Sequence, residues 1–296
     1  MSLQETETSI KSVAEKAGGA IVGVGRRWGL GSGVVISPRR VLTNAHNLRG
    51  EETTVVFADG RSEAGRVAGV DVDADLAVVT VEGETPEALD WAEGEASLGD
   101  AVFALANPGG RGLRVTHGFV SSTQRSFRGP RGRRITGSIE HSAPLVRGSS
   151  GGPIVDDSGR VLGINTNRLG EGFYLAVPAD ATLKERVDAL GRGESPSKPR
   201  LGVGLASAPV ARKLRRAVGL PEAEGLLVRV VEEDGAADRA GIKEGDLITH
   251  AGGRALTDGD ELYEVLDAAG SELSLKILRG AEQQDVTVRF AAEEGS

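Results

Sequence analysis

The chain contains no cysteine, which excludes a disulfide framework and any thiolate-bound metal and removes the usual redox clue to compartment. Aromatic residues are nearly as scarce, at 3% of 296 positions, so the cores must be built from Val, Leu, Ile and Ala. No apolar run reaches membrane-spanning length, and the polar, acidic start Met1-Ser2-Leu3-Gln4-Glu5-Thr6-Glu7-Thr8 has neither the basic region nor the apolar stretch of a secretory signal. A basic excess is missing too. The formal net charge is −8, so nothing electrostatic favours nucleic acid or an anionic membrane as a partner of the whole molecule. Polypeptides remain as the partner class.

What is abundant is glycine, at 43 residues, alongside 39% hydrophobic residues. That balance favours many short strands and tight turns, and the length leaves room for two domains with separate cores. Ile10, Val13, Ala14 and Ala17 repeat at helical spacing before Gly18-Gly19, which predicts a short N-terminal helical segment over 8–18. Segments 20–24, 33–37, 41–43, 53–58, 64–70 and 76–81 read as one set of strands, and 101–106, 115–122, 135–140, 153–155, 160–165 and 173–177 as another. Residues 179–190 look helical up to Gly191, and 192–199 have the composition of a linker. The expected organisation is therefore 1–191, a linker at 192–199, and 200–296. In the last part, strands are expected over 225–230, 246–248 and 273–278. One helix there carries Val210, Leu214, Ala217 and Val218, and a second carries Leu262, Val265, Leu266 and Ala269 with Thr257 or Asp258 as its cap.

The run Gly148-Ser149-Ser150-Gly151-Gly152-Pro153 sets a serine in a glycine-rich bend, downstream of Thr43-Asn44-Ala45-His46 and Asp73-Ala74-Asp75-Leu76. A serine hydroxyl is a weak nucleophile until a hydrogen-bonded imidazole takes its proton, and the imidazole needs an acid to hold its tautomer. Ser-Gly bends are also common as ordinary turns, and a lone histidine is more often structural. The joint occurrence of the three groups, in the order His, Asp, Ser, carries the catalytic reading.

With Gly31-Ser32-Gly33-Val34-Val35, Asp75-Leu76-Ala77-Val78 and Gly163-Ile164-Asn165-Thr166 added, the chain resembles the trypsin-like HtrA (DegP/DegS) family of serine proteases over nearly its whole length. The resemblance implies a mainly β fold: a chymotrypsin-like double β-barrel with the site in the cleft between barrels, then one PDZ domain (α+β). It implies a serine endopeptidase acting on unfolded or exposed polypeptide segments in protein quality control, with no metal and no organic cofactor. It also implies a location outside the cytoplasm, if a signal or anchor has been removed; the alternative is cytoplasmic.

Carried onto this sequence, the nucleophile is Ser150, the general base His46 and the orienting acid Asp75. His46 has the family's Thr-x-x-His context, which His117, His141 and His250 lack; His141 reads as structural. Asp75 directly precedes the apolar run Leu76-Ala77-Val78-Val79, whereas its competitors Asp71 and Asp73 read as solvated turn residues. Backbone N–H groups of Gly148 and Ser150, with Ser149 between them, are the expected oxyanion hole. Substrate contacts are expected from Leu145, Val146, Ile164, Asn165 and Thr166. The absence of an aspartate six residues before the nucleophile favours small or medium aliphatic side chains at the cleaved position. In the PDZ-like part, Leu201, Gly202 and Val203 resemble a carboxylate-binding loop for peptide C-termini, with Leu262 and Leu266 lining the groove.

Departures from the family pattern are Ser149, where asparagine is usual, and His141-Ser142-Ala143-Pro144-Leu145, where Thr-Asp-Ala-Ala-Ile is common. Only Gly25 to Leu30 separate Val24 from Gly31, too few for the long regulatory loop of some members, and the N-terminus lacks the aromatic residues with which those members trimerise. A homo-oligomer is allowed, and a trimer stays undecided. Arg125, Arg128, Arg131, Arg133 and Arg134 read either as a solvated hairpin loop or as a sensor loop with acidic partners such as Glu232, Glu233 and Asp234. A different class of function is a proteolytically silent chaperone or peptide-binding module on the same fold.

Overall fold

A computed structural model describes residues 2–25, 31–130, 132–170, 172–196 and 198–290, with the side chains of 167–170 left out. The 26–30 stretch, Arg131, Ser197 and the side chain of Asn167 therefore lie outside the described residues. The chain divides into two compact units, Met1–Pro196 and Ser197–Ser296.

In the first unit, helix α1 spans Leu3–Ala17 and starts earlier than the apolar spacing suggested. The cause is a capping box: the Ser2 hydroxyl accepts from the Glu5 N–H while the Glu5 carboxylate accepts from the Ser2 N–H. Strands β1 (Ile21–Val24), β2 (Gly31–Ser37), β3 (Arg40–Thr43), β4 (Glu52–Val56), β5 (Ser62–Asp71) and β6 (Leu76–Val81) form a closed barrel in the order β1-β2-β3-β6-β5-β4. Pairing of β1 with β4 closes it. A second closed barrel, in the order β10-β11-β12-β9-β8-β7, comprises β7 (Ala101–Ala106), β8 (Arg114–Arg128), β9 (Arg134–His141), β10 (Pro153–Val155), β11 (Val161–Gly170) and β12 (Phe173–Pro178). The double barrel implied by the resemblance is thus present. Helix α2 (Ala181–Gly191) follows, capped by the Asp180 carboxylate on the Leu183 N–H.

Each barrel has its own apolar filling, Val22, Val35, Val41 and Phe57 in one and Val102, Val120, Ile139 and Ile154 in the other. A larger cluster joins them: Ile21, Leu42 and Leu76 of the first barrel meet Phe103, Leu105 and Ile164 of the second, together with Val13 of α1 and Leu183, Val187 and Leu190 of α2. Burial of this shared surface, at about 25 cal/mol per Å² of apolar area, holds the two barrels in one register, and with them any side chains placed at their junction.

β8 and β9 run further than the alternation of apolar residues predicted, to Arg128 and from Arg134. The ladder continues through Arg125↔Ser138 and Phe127↔Ile135 despite polar side chains, because the backbone groups pair regardless of what the side chains favour. Arg125 Nε adds an ion pair to Glu140 at 2.8 Å.

The second unit is an α+β domain around one sheet ordered β13-β14-β15-β17-β18, with β16 paired to β15. Its elements are β13 (Val203–Ala206), α3 (Ala208–Ala217), β14 (Leu226–Val231), α4 (Ala236–Arg239), β15 (Leu247–Ala251), β16 (Arg254–Ala255), α5 (Gly259–Ala268), β17 (Glu272–Arg279) and β18 (Glu282–Arg289). Of the two proposed caps, Asp258 is the N-cap of α5, in a capping box with Glu261. Among the described residues no helix is long and apolar enough to cross a membrane.

Candidate active site

His46 lies on a single 3₁₀ turn, Ala45–Asn47, directly after β3. Asp75 lies directly before β6, and these two strands are paired, Thr43 opposite Ala77. The two residues are thereby brought together: His46 Nδ1 is 2.8 Å from Asp75 Oδ2, and the His46 backbone N–H donates to Asp75 Oδ1 at 3.1 Å. With the carboxylate accepting the Nδ1 proton, Nε2 is left as the acceptor on the far side of the ring.

Asp75 is 2% exposed and has a left-handed backbone, φ +57°, a conformation that costs a non-glycine residue about 1 kcal/mol or more. The neighbourhood holds it there. Asn44 Nδ2 donates to its carbonyl at 2.8 Å, and Thr166 Oγ1 donates to its Oδ2 at 2.6 Å. The loop leading to it is tied down as well: Arg186 Nη1 meets Asp71 Oδ2 at 2.9 Å and Arg133 Nε meets Asp73 Oδ2 at 3.0 Å. The expectation that Asp71 and Asp73 are solvated turn residues is therefore corrected. Their carboxylates are nearly buried, and each has an arginine beside it to offset the cost of that burial.

Ser150 sits on the bend between β9 and β10, on the second barrel. Gly151 has φ +89°, and a Cβ on it would fall 2.1 Å from the Ser32 carbonyl oxygen, so only glycine fits beside the nucleophile candidate. Gly148 also has positive φ, +91°. The Ser150 hydroxyl donates to the Thr166 carbonyl at 3.2 Å. Within the proposed oxyanion hole the N–H groups differ: that of Ser149 donates to the Val146 carbonyl at 3.2 Å and is spent in a turn. That leaves the Gly148 and Ser150 N–H groups for the role, with Ser149 as the residue between them.

The bend is pinned through its carbonyls. Ser32 Oγ donates to Gly148 O at 2.8 Å, and Ser150 O accepts from both Ser32 N and Asn47 Nδ2 at 2.9 Å. Gly152 O accepts from Asn165 N at 2.9 Å and Nδ2 at 3.0 Å. Sequence reasoning missed Asn47 altogether and saw Ser32 only as part of a motif; the signal available was the pair of glycines flanking Ser32.

Of the five expected substrate contacts, three have side chains that are engaged within the fold. Ile164 is fully buried in the cluster between the barrels, because its strand position faces inward. Asn165 Oδ1 accepts from His141 Nε2 at 2.8 Å, and Thr166 is committed to Asp75. Val146 is 44% exposed and Leu145 half-buried, so these two stay open to a ligand. His141 is buried, stacked on Tyr174, and its imidazole is pushed down to about 4 by desolvation, which the Asn165 bond only partly offsets. It is structural, as read.

In the second unit Leu201, Leu262 and Leu266 are each 3% exposed and belong to the core cluster, which corrects the placement of Leu262 and Leu266 as groove-lining side chains; the Leu201 side chain anchors the loop it opens. Burial against Val228, Ile248 and Ile277 is what their apolar volume serves. Gly202, with φ +75°, and the half-buried Val203 lead into β13, which among the described residues is paired on one side, to β14.

Residues 31–164 match the trypsin-like peptidase domain family and residues 227–279 the PDZ domain family. A protein of Synechocystis named as serine protease HhoA is 35% identical over 282 residues, covering 89% of this chain and 71% of that protein. The chain belongs to the HtrA family of trypsin-like serine proteases. A DegP-like periplasmic serine endoprotease of Halomonas elongata is 32% identical over 272 residues, 88% of this chain and 56% of the relative. A Brucella suis protein of the same description is 34% identical over 275 residues, 88% of this chain and 52% of the relative. The HtrA chain thus spans about half the length of these DegP-like relatives. Among solved structures, the serine endoprotease of Yersinia pestis superposes with a TM-score of 0.63 at 27% identity, covering 95% of this chain and 96% of that one. The HtrA-type protease AlgW with a tripeptide does so with a TM-score of 0.58 at 28% identity and the same coverage.

Proposed function

We propose that this HtrA chain is a serine endopeptidase that cleaves unfolded or exposed polypeptide segments through an acyl-enzyme. Ser150 attacks the scissile carbonyl, His46 takes the hydroxyl proton at Nε2 and returns it to the leaving amine, and Asp75 holds the imidazole tautomer and stabilises its charged form. The N–H groups of Gly148 and Ser150 stabilise the oxyanion, each worth about 3 kcal/mol in the transition state. Val146 and Leu145 border the cleaved residue. The observation that carries this reading is the 2.8 Å contact of His46 with a buried Asp75 that two further donors hold in place.

The peptidase part takes in 1–191 and the PDZ part 200–296, joined by 192–199. The PDZ part recruits polypeptide C-termini at the loop 201–203, with main-chain pairing along β13; the tripeptide-bound AlgW supports peptide recognition in this family. The periplasmic names of the relatives support a role outside the cytoplasm. Casein digestion tests the activity. Wild type should release peptides, Ser150→Ala none, and Asp75→Asn should stay folded while kcat falls by about 10⁴. Equal digestion by wild type and Ser150→Ala would overturn it.

A further inference from the structure

The turn that carries the base candidate also carries Asn47, and the Asn47 carboxamide reaches across to the other barrel. Its Nδ2 donates to the Ser150 carbonyl at 2.9 Å, 103 positions away, and to Thr43 Oγ1 at 3.0 Å. Thr43 Oγ1 in turn donates to the Ser32 carbonyl at 2.7 Å, and the Ser32 N–H donates to the same Ser150 carbonyl at 2.9 Å. Two glycines leave room for this arrangement: a Cβ on Gly31 would lie 2.5 Å from Asn47 Cγ, and one on Gly151 would lie 3.0 Å from Asn47 Nδ2.

We propose that Asn47 is a positioning residue, a strut that sets the distance between the imidazole of its chain neighbour His46 and the backbone of Ser150. The proposal rests on the peptidase reading. Both protons of the carboxamide are used, one on the base-bearing segment through Thr43 and one on the nucleophile, so the side chain joins the two halves of the site by direct bonds. The need for it follows from the fold, since His46 and Asp75 belong to one barrel and Ser150 to the other. The apolar cluster between the barrels is not directional, whereas a hydrogen bond is. The Ser150 hydroxyl has a single proton, now given to the Thr166 carbonyl. To engage His46 it must leave that acceptor, and a backbone already held by Asn47 and Ser32 confines the change to the side chain. Asn47 touches neither substrate nor reacting atoms; it acts through the two residues that do.

The isosteric Asn47→Asp separates a strut from a space-filler, because it keeps the volume and removes the donor. Second-order labelling by a fluorophosphonate, and kcat and KM on a peptide substrate, should be measured for wild type, Asn47→Asp, Asn47→Ala and Ser150→Ala, with circular dichroism to confirm folding. Misplacement of reacting groups by about 1 Å costs on the order of 10²-fold. Asn47→Asp and Asn47→Ala should each lose about 10- to 100-fold in labelling rate and in kcat, with KM near wild type. Should one of them fail to fold, the other decides. Wild-type labelling and kcat in a folded Asn47→Asp, or a loss confined to KM, overturns the strut alone. Wild type labelling no faster than Ser150→Ala removes the peptidase reading and the strut with it.

Discussion

Thr166 Oγ1 donates to Asp75 Oδ2 at 2.6 Å, across 91 positions and from the opposite barrel. The hydroxyl is buried with the carboxylate, so the bond is charge-assisted and worth about 1.5–3 kcal/mol. The Thr166 side chain serves the acid, while its carbonyl holds the Ser150 hydroxyl. Thr166→Val should lower kcat/KM by about tenfold or more, and Thr166→Ser, which keeps the donor, should restore most of it. Equal activity of the two variants would contradict the role.

Gly151→Ala should be among the most damaging single changes outside the proposed triad. It places a Cβ 2.1 Å from a backbone oxygen at φ +89°. Strain of the left-handed backbone and overpacking together should cost about 3 kcal/mol or more, read as a lower denaturant midpoint.

Two ion pairs made by the arginine-rich hairpin differ in exposure. Arg133 and Asp73 are 7% and 11% exposed, whereas Arg125 is 51% exposed in its pair with Glu140. Arg133→Met strands a nearly buried carboxylate and should cost about 3 kcal/mol; Arg125→Met should cost under about 1 kcal/mol. Equilibrium denaturation of both variants at neutral pH checks the ranking.

His141 makes stability depend on acid. Its imidazole is pushed down to about 4 in the folded protein, against about 6.5 in the unfolded chain, so between these values the unfolded chain binds more protons. The contribution is therefore complete above pH 6.5 and is lost as pH falls toward 4, by about 2–3 kcal/mol. Denaturation at pH 7.5 and pH 4.5 should show this loss, and His141→Gln should reduce it. An unchanged difference in the variant would contradict the assignment.

The catalytic candidates were legible because each sits in a short local signature: a histidine closing Thr43-Asn44-Ala45-His46, an aspartate before an apolar strand, a serine between glycines. Their supports were not, since they are made by distant partners. Asp71 looks solvated until Arg186, 115 positions on, is seen beside it. Asn47 looks like any polar residue after a histidine. Strand β18 escaped notice because Glu282, Gln283, Gln284 and Asp285 offer no apolar alternation; its place is set by an eight-pair ladder with β17. Ile164 and Leu262 show the opposite error, where apolar character was read as a binding surface and serves the core.

The central claim is that Ser150 is a nucleophile activated by His46. Intact-mass measurement after incubation with a fluorophosphonate, followed by peptide mapping, tests it directly. One adduct on Ser150 in wild type, absent from Ser150→Ala and strongly slowed in His46→Ala, is the predicted result; an adduct elsewhere, or none on a folded wild-type protein, would contradict it.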